Sequence, residues 1–507
     1  MPQYDLVITG GEVVDGRGTP RRHADIAISG DRIVEVGPGP YAATRMVDAT
    51  GSIVAPGFID LHSHADFSVL GHPAAETQLA QGVTTLLTGN CGQSPFPAAY
   101  TPEGFGQAVL DVAPAVNLGL QLGHNGLRTA VIGDDDRRPT ADELDTMCAM
   151  IKTAADRPGV VGFSTGLIYM PGLFADEHEL TTLAAAAAQA GLLYSSHIRN
   201  ESDHLEAAVR EAIDTAEHAG ARLEISHLKA MGPENWGATE RALELIDAAR
   251  ARGVDVAADV YPYTASSTDL SSRLPGWAVD GGRDALVARL RDPNQRDRIA
   301  TELRGRFGHD IDPDGVVIVD LCGQFERYIG CSLTEIGRDR GTDAAEAALA
   351  VLEANGGGAA IVNHAMSEDD VRAVLAHPVV SVASDGWTLT PHGSGLPHPR
   401  SFGTFARVLG RYVREEAVLT LEEAIRKMTS LPASRLGVIE RGSLTPGKLA
   451  DVVVFDPGAI EDASTYLEPW QLARGMRTVL VNGRAAVLDG RFTGERAGRL
   501  LSKEASR

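Results

Sequence analysis

The sequence predicts an α/β protein built around a (β/α)8 barrel, with a small β-sandwich domain formed from both chain ends. Three observations support this prediction. Between residues 57 and 437, short apolar strands alternate with Ala- and Glu-rich helical stretches, as in parallel sheets. Eight such strands are recognisable, which favours a closed barrel. Both chain ends instead contain short strands separated by turn residues.

The two chain ends are predicted to pair with each other. The strand-like segments are residues 4–9, 12–14, 24–29 and 32–36 at one end, and residues 450–456 and 478–483 at the other. We therefore predict that residues 1–56 plus 438–507 form the small β-sandwich domain. Residues 57–437 then form the barrel.

The barrel strands are predicted from apolar runs that end in turn or polar residues. They are residues 58–61, 84–88, 116–122, 160–163, 192–196, 223–226, 254–259 and 379–383. Residues 266–363 lie between the seventh and eighth strands as a long insertion. At the C-terminal face of a barrel, such an insertion is expected to be a lid or a pocket wall. The alternative is a surface decoration without a role in binding.

Composition narrows the classes of partner. A chain of 507 residues exceeds the usual size of one core. The net charge of −22 argues against nucleic acid and anionic membranes, and favours a small-molecule substrate. Four scattered cysteines, no recognisable signal peptide and no apolar run of membrane-spanning length predict a cytoplasmic protein. The oligomeric state is left open.

The first barrel strand ends in a His-x-His motif. Side chains two residues apart on a strand point to the same side, so His62 and His64 project together. Two imidazoles on one side of a strand can share a cation. An isolated motif of this length also occurs by chance at strand ends, so the other strands decide its meaning.

Further ligand-type residues end other strands. Cys91 follows the second strand between small residues, where nearby cations favour a thiolate. His197 and His227 end the fifth and sixth strands and are 30 residues apart, about one strand-helix repeat. Asp385 ends the eighth strand, where a carboxylate can bind metal and accept a proton.

These residues predict a metal centre at the C-terminal end of the barrel. The six candidate ligands are His62, His64, Cys91, His197, His227 and Asp385. Nitrogen and thiolate donors favour zinc. The strand-one histidines with Asp385 can hold one ion, and the remaining three residues another.

The motifs resemble the amidohydrolase superfamily, and within it the N-acyl-D-amino-acid deacylase (D-aminoacylase) family, over nearly the whole chain. The superfamily pattern is the His-x-His pair, the two strand-end histidines and Asp385. The branch is indicated by the segments 89–92, 162–169, 226–229, 259–264 and 398–405. Hydantoinase-like relatives use a carbamylated lysine from strand four, which this strand lacks, so the resemblance gives Cys91 the bridging role.

The resemblance implies zinc-dependent hydrolysis of N-acyl-D-amino acids to a carboxylate and a free D-amino acid. It implies Cys91, His197 and His227 as ligands of one tightly bound zinc. His62, His64 and Asp385 then line a weaker second position. Asp385 is the expected catalytic base, which takes a proton from the attacking water and passes it to the leaving amine.

Because the protein has a net charge of −22, an anionic substrate needs hydrogen-bond donors that are fixed at the site. The resemblance assigns substrate binding to Lys229, Tyr261 and Arg400, and Arg400 can bind a carboxylate with two parallel hydrogen bonds. Lys229 points to the same side as His227 if the sixth strand continues past it. The segment 390–395 is longer and richer in glycine than the family pattern, which bears on the placement of Arg400.

Two alternatives compete with the interpretation of the chain as a deacylase. One is hydrolysis of cyclic amides, as in dihydroorotases and hydantoinases, against which the missing strand-four lysine counts. The other is a non-catalytic barrel homologue that acts as an assembly module. Such proteins lose ligands, whereas all six are present here.

Overall fold

The computed structural model of the chain describes residues 3–97 and 99–502. Its central element is an eight-stranded parallel sheet whose strands pair in chain order. Barrel strands 1 to 8 are Phe58–Asp60, Val83–Thr88, Asn117–Gly123, Val160–Gly166, Leu193–His197, Leu223–Ile225, Val256–Val260 and Val380–Val382. Just beyond strands 1 and 8, Asp385 N–H donates to His62 O and His64 N–H to Gly386 O. The (β/α)8 barrel prediction is confirmed.

Helices follow the strands and cover the outside of the barrel. The helices of this layer are Glu76–Leu79, Pro102–Asp111, His124–Val131, Ala141–Ala155, Glu177–Gln189, Leu205–Ala219, Ala238–Ala251, Glu368–Ala376, Arg400–Arg407, Leu421–Met428 and Ser430–Leu436, with a π-helix at Val408–Glu415. Their apolar faces and the outer faces of the strands form the largest buried cluster. Because this packing fixes every strand end, the loops at the C-terminal face start from rigid positions.

Two further sheets flank the barrel. The first contains, in spatial order, Arg32–Gly37, Asp25–Ser29, Tyr4–Thr9 and Ala43–Asp48. The second contains Arg491–Phe492, Arg484–Leu488, Met476–Val481, Val452–Phe455, Ile53–Pro56, Glu12–Val13 and Arg22–His23. In this second sheet Val452–Phe455 pairs with Ile53–Pro56, so strands from both chain ends share one sheet. The domain boundaries at residues 56 and 438 stay a prediction.

The segment between barrel strands 7 and 8 forms its own small unit. Its antiparallel sheet contains Ala265–Asp269, Ala360–His364 and Val316–Asp320, in that order. Its helices are Gly276–Val279, Gly282–Arg291, Pro293–Arg306, Leu333–Arg340 and Ala344–Ala354, and they enclose a separate apolar cluster. Residues 269–306 of this unit contribute to one wall of a cavity of about 470 Å³. Its movement as a lid stays a prediction. Among the described residues, no helix is long and apolar enough to cross a membrane.

Residues 499–501 of the C-terminal tail pack against the N-terminal end of the barrel. Leu118 donates its N–H to Arg499 O and accepts from the N–H of Leu501, while Gly159 donates to Leu501 O. The Leu501 side chain is 3% exposed and packs with apolar residues from strands 1, 2, 4 and 5. The tail is therefore part of the core at the end opposite the candidate site.

We predict that Leu501→Ala lowers the free energy of unfolding by about 2–5 kcal/mol, because truncating a buried leucine leaves a cavity. Denaturant unfolding of the parent and variant measures the difference. Ser502→Ala is the matched control, since this neighbour is exposed and its loss leaves the core filled. Equal stability of the Leu501 variant and the parent would show that the tail does not support the barrel.

Candidate functional site

The six predicted ligands lie together at the C-terminal end of the barrel. His62, Cys91, His197, His227 and Asp385 are each at most 5% exposed, and the ring of His64 is 15% exposed. They come from strands 1, 2, 5, 6 and 8, which meet at this end because the sheet is parallel. Their common position therefore follows from the fold.

Three of these residues have a left-handed backbone that non-glycine residues rarely adopt. The φ angles are +55° at Cys91, +36° at His227 and +51° at Asp385. Such conformations cost on the order of 1–3 kcal/mol each and cluster at functional sites. The Cys91 turn is held by Asn90, whose side-chain amide donates to Ser63 O and Leu87 O. The strained turns aim the three side chains into the barrel mouth.

The donor atoms form two overlapping groups. In the first, Cys91 Sγ lies 3.3 Å from His62 Nε2 and 3.6 Å from His227 Nε2. Asp385 Oδ1 lies 3.3 Å from the same His62 nitrogen and 3.0 Å from His64 Nε2. The ligand atoms of His62, Cys91, His227 and Asp385 all lie within 4.8 Å of one another. The sequence had placed His62 and Cys91 in different groups.

The second group contains Glu201, which is not among the six predicted ligands. The ligand atoms of His197, Glu201 and His227 lie within 4.8 Å of one another. Glu201 Oε1 lies 3.1 Å from His227 Nδ1. Among the described residues, neither ring nitrogen of His197 has a hydrogen-bond partner, although both are buried. His197 Nε2 lies 3.6 Å from Glu201 Oε2, beyond hydrogen-bond distance, and a buried imidazole without a hydrogen bond on either nitrogen is readily explained if it binds an ion.

The donor set fits a metal ion. Burial raises the pKa of the Cys91 thiol, but His62, His197 and His227 more than offset this and hold it well below its usual value. Proximity to these imidazoles therefore favours the thiolate, which is the form that binds metals. A cluster of His, Cys and Asp side chains of this kind supplies the donor atoms that metal-binding sites use.

Asp385 is paired with Arg400. Its Oδ2 lies 2.7 Å from Arg400 Nη1, and both side chains are buried. Burial raises the pKa of Asp385, but Arg400 and then His62 outweigh it and hold the pKa well below the ordinary value. Asp385 is therefore ionised in the protein.

Arg400 begins the helix Arg400–Arg407 and is held by a fixed histidine. His398 Nδ1 accepts the N–H of Arg400 at 3.0 Å, and its Nε2 donates to Ala265 O at 2.9 Å. The Arg400 guanidinium lies 5.0 Å from the centre of the Tyr261 ring. The glycine-rich segment 390–395 packs its Gly393 on Trp470 and leaves Arg400 at the site.

Tyr261 offers a free donor beside Arg400. Its side chain is 3% exposed, and its buried hydroxyl has no hydrogen-bond partner among residues 3–97 and 99–502. Tyr263 instead packs under the Arg407 guanidinium. Of the two tyrosines, Tyr261 is the one with an unused hydroxyl at the site.

The environment of Lys229 differs from the one predicted from a continuing sixth strand. Strand 6 ends at Ile225 and His227 turns left-handed, so the strand does not continue to Lys229. Its Nζ lies 2.5 Å from Glu201 Oε1 and 2.8 Å from His227 Nδ1. The ammonium thus neutralises Glu201 in this structure, and its contact with substrate stays a prediction.

The cavity beside the metal cluster contains an arginine that the sequence did not single out. Arg273 lines it, is 5% exposed, and forms no ion pair with any carboxylate of the described residues. Its Nε is also buried, and it has no hydrogen-bond partner among the residues that the structure describes. Each of the three other arginines of the cavity has a carboxylate partner: Arg199 with Glu211, Arg283 with Asp269 and Arg306 with Asp310.

The cavity is close to the second ligand group. Glu201 and Tyr169 line it together with Arg273, and the Tyr169 ring lies 4.9 Å from the His197 ring. No motif marks Arg273, because it lies in the insertion. What distinguishes Arg273 is its lack of a carboxylate partner among the described residues, which the sequence does not show.

The chain is similar to known proteins over nearly its whole length. A family model described as the amidohydrolase family matches residues 45–487. An N-acyl-D-glutamate deacylase of Alcaligenes xylosoxydans xylosoxydans is 40% identical, covering 99% of this chain and 98% of that protein. A D-aminoacylase of the same organism is 36% identical over the same shares.

Solved structures of such relatives have the same fold as this chain. N-acyl-D-glutamate deacylase from Bordetella bronchiseptica, complexed with zinc and a phosphonate inhibitor, has a TM-score of 0.83 at 37% identity, covering 98% of this chain and 99% of that one. A D-aminoacylase structure has a TM-score of 0.85 at 35% identity, with the same coverage. A D-hydantoinase, at 18% identity and a TM-score of 0.57, shares the fold.

The barrel and its His, Cys and Asp cluster define a metal-binding hydrolase scaffold. With the family model and relatives that match nearly the full length, the chain belongs to the amidohydrolase family. The resemblance predicted from the motifs is therefore confirmed.

Proposed function

We propose that the protein is a zinc-dependent deacylase that hydrolyses N-acyl-D-amino acids with an acidic side chain. The D configuration and the linear amide rest on the relatives named above, which are N-acyl-D-glutamate deacylase and D-aminoacylase. The single observation that carries the acidic side chain is the unpaired, buried Arg273 in the cavity.

An unpaired buried cation is costly, which is why it points to an anionic ligand. Burial lowers the pKa of Arg273, since the charged form is desolvated there. Buried charges in proteins are normally paired, and an arginine fork matches a carboxylate. A substrate with a side-chain carboxylate would supply the missing partner.

The metal would be held by the His and Cys donors described above. Nitrogen and thiolate ligands favour zinc, and a structure of a relative contains zinc. Cys91, His197 and His227 are proposed as the ligands of the tight position, with His62, His64 and Asp385 at the weaker one. When bound, the ion would supply a Lewis acid that polarises the amide carbonyl.

The chain's own residues would perform the remaining steps. Asp385 would accept a proton from the attacking water and transfer it to the nitrogen of the leaving amino acid. Arg400 and the free Tyr261 hydroxyl would hold the α-carboxylate. Held at both carboxylates, the substrate would present its amide in a fixed orientation.

The test is hydrolysis of matched N-acetyl-D- and N-acetyl-L-amino acids with Glu, Asp, Met, Leu and Phe side chains, with zinc or with chelator. Metal-dependent cleavage of the D series, highest for the acidic members, is the expected result. Cleavage of D substrates without acidic preference would remove the role of Arg273 only. No cleavage of any member by zinc-loaded protein would contradict the deacylase function.

A further inference from the structure

Asp259 connects candidate ligands that come from two other strands. It belongs to barrel strand 7 and is 2% exposed. Its carboxylate oxygens lie 3.3 and 3.4 Å from His62 Nδ1, and its Oδ1 accepts the backbone N–H of His227 at 2.8 Å. We propose that Asp259 is a positioning residue that fixes the His62 tautomer and the His227 turn, and so sets metal affinity. The inference rests on the metal-dependent function proposed above.

The contact with His62 determines which ring nitrogen is free. A neutral imidazole carries one proton, and a carboxylate attracts it to the nitrogen that faces it. With the proton on Nδ1, the lone pair of Nε2 is directed toward Cys91 Sγ and Asp385 Oδ1, both 3.3 Å away. A metal can bind the ring only through a nitrogen without a proton. Asp259 thereby keeps the inward-facing nitrogen available.

The contact with His227 supports a strained backbone. His227 has φ of +36°, a conformation that costs free energy for a residue with a side chain. Its N–H donates to Asp259 Oδ1, and the next N–H, of Leu228, donates to the backbone oxygen of Asp259. Because Asp259 holds both amides, it stabilises the turn that points the His227 ring toward Cys91.

The charge of Asp259 is compensated differently from that of its neighbours. Glu201 is paired with Lys229, and Asp385 with Arg400. In the described part of the chain, the side-chain partner of Asp259 is His62, and no Lys or Arg forms an ion pair with it. A buried carboxylate needs partners that donate hydrogen bonds to it. Its charge therefore acts on the imidazole, as in carboxylate–histidine–metal arrangements that strengthen ligand binding.

Two substitutions separate the two contacts. In Asp259→Asn, the amide oxygen still accepts from His227, whereas the amide nitrogen donates to His62 Nδ1 and forces the proton onto Nε2. In Asp259→Ala, both contacts are lost. We expect the Kd of the tightly bound zinc, measured by competition with a chelator on metal-free protein, to rise about 10–100-fold for Ala, which releases the turn of the tight-position ligand His227. For Asn, which retains that turn, we expect the tight zinc to stay bound and the Kd of the weaker position lined by His62 to rise by the same factor.

The matched control is Glu224→Gln. Glu224 is a fully buried carboxylate on strand 6, but its partner is Arg435 and it contacts none of the candidate ligands. Its substitution should leave the Kd for zinc unchanged. Spectra of the cobalt-loaded proteins give a second readout, since the thiolate-to-cobalt band should shift for Asp259→Ala, which releases His227, and not for Glu224→Gln.

The outcomes distinguish this role from a purely structural one. Lower melting temperatures of the metal-free Asp259 variants with unchanged Kd values for both zinc positions would overturn the inference. Zinc binding is measured without substrate, so a parent protein that binds zinc but cleaves no N-acyl-D-amino acid would contradict the proposed function alone.

Discussion

The substitution Asp385→Asn is expected to reduce kcat for N-acetyl-D-glutamate by about 10²–10⁴-fold, the usual contribution of a general base. Asp385 is the carboxylate of the first ligand group, and the neutral amide cannot accept the proton of the attacking water. Arg400 and Tyr261, which are proposed to bind the α-carboxylate, are unchanged in this variant, so KM should change much less than kcat. Steady-state kinetics with zinc analysis of the same preparation measures both quantities.

Zinc should remain largely bound in this variant, because the tight position is proposed to depend on Cys91, His197 and His227. The control is Asp60→Asn. Asp60 is buried beside the same loop, accepts hydrogen bonds from Ser384, and has a pKa that burial raises to about 7. It faces backbone and hydroxyl groups, so its loss should affect stability more than turnover. Retained turnover of the Asp385 variant would remove Asp385 from the role of base.

The barrel and the location of the ligands could be predicted from the sequence because both depend on local patterns. Apolar runs of strand length mark the eight strands, and a parallel closed sheet brings all their C-terminal ends together. A polar residue just after a run is therefore placed correctly even when the contacts are unknown. Cys91, His227 and Asp385 were located in this way.

What could not be predicted depends on how the chain turns after each strand. Lys229 was placed by assuming that strand 6 continues, but the left-handed backbone at His227 ends that alternation. The same kind of turn brings His62 and Cys91 into one group, although they follow different strands. Alternation along a strand carries no information about these turns.

Arg273 illustrates a second limit, which is set by pairing. Arginines are frequent in the insertion, and their sequence context does not distinguish the paired ones from the unpaired one. The distinction arises from the folded geometry, in which Arg199, Arg283 and Arg306 meet carboxylates and Arg273 meets none among the residues described. The proposed preference for an acidic side chain therefore rests on the folded cavity and not on a sequence motif.

Substituting Arg273 by Leu should change which substrate the protein prefers. Losing one partner of a buried charge pair costs about 2–5 kcal/mol, so kcat/KM for N-acetyl-D-glutamate should fall by roughly 30- to 3,000-fold. N-acetyl-D-leucine lacks the side-chain carboxylate, and its kcat/KM should hold or rise in a cavity wall that is now apolar. The ratio of kcat/KM for the two substrates is the measurement, because a general loss of folding or zinc lowers both values together.

Arg283→Leu provides the comparison, since Arg283 lines the same cavity but its charge is already matched by Asp269. The ratio should then stay near that of the parent protein. If Arg273→Leu also kept its preference for glutamate, the acidic side chain would have to be recognised elsewhere, and deacylation itself would be untouched. If only Arg273→Leu inverted the ratio, the buried and unpaired arginine would be what selects the substrate, because Arg283 lines the same cavity but is exposed and already neutralised by a carboxylate.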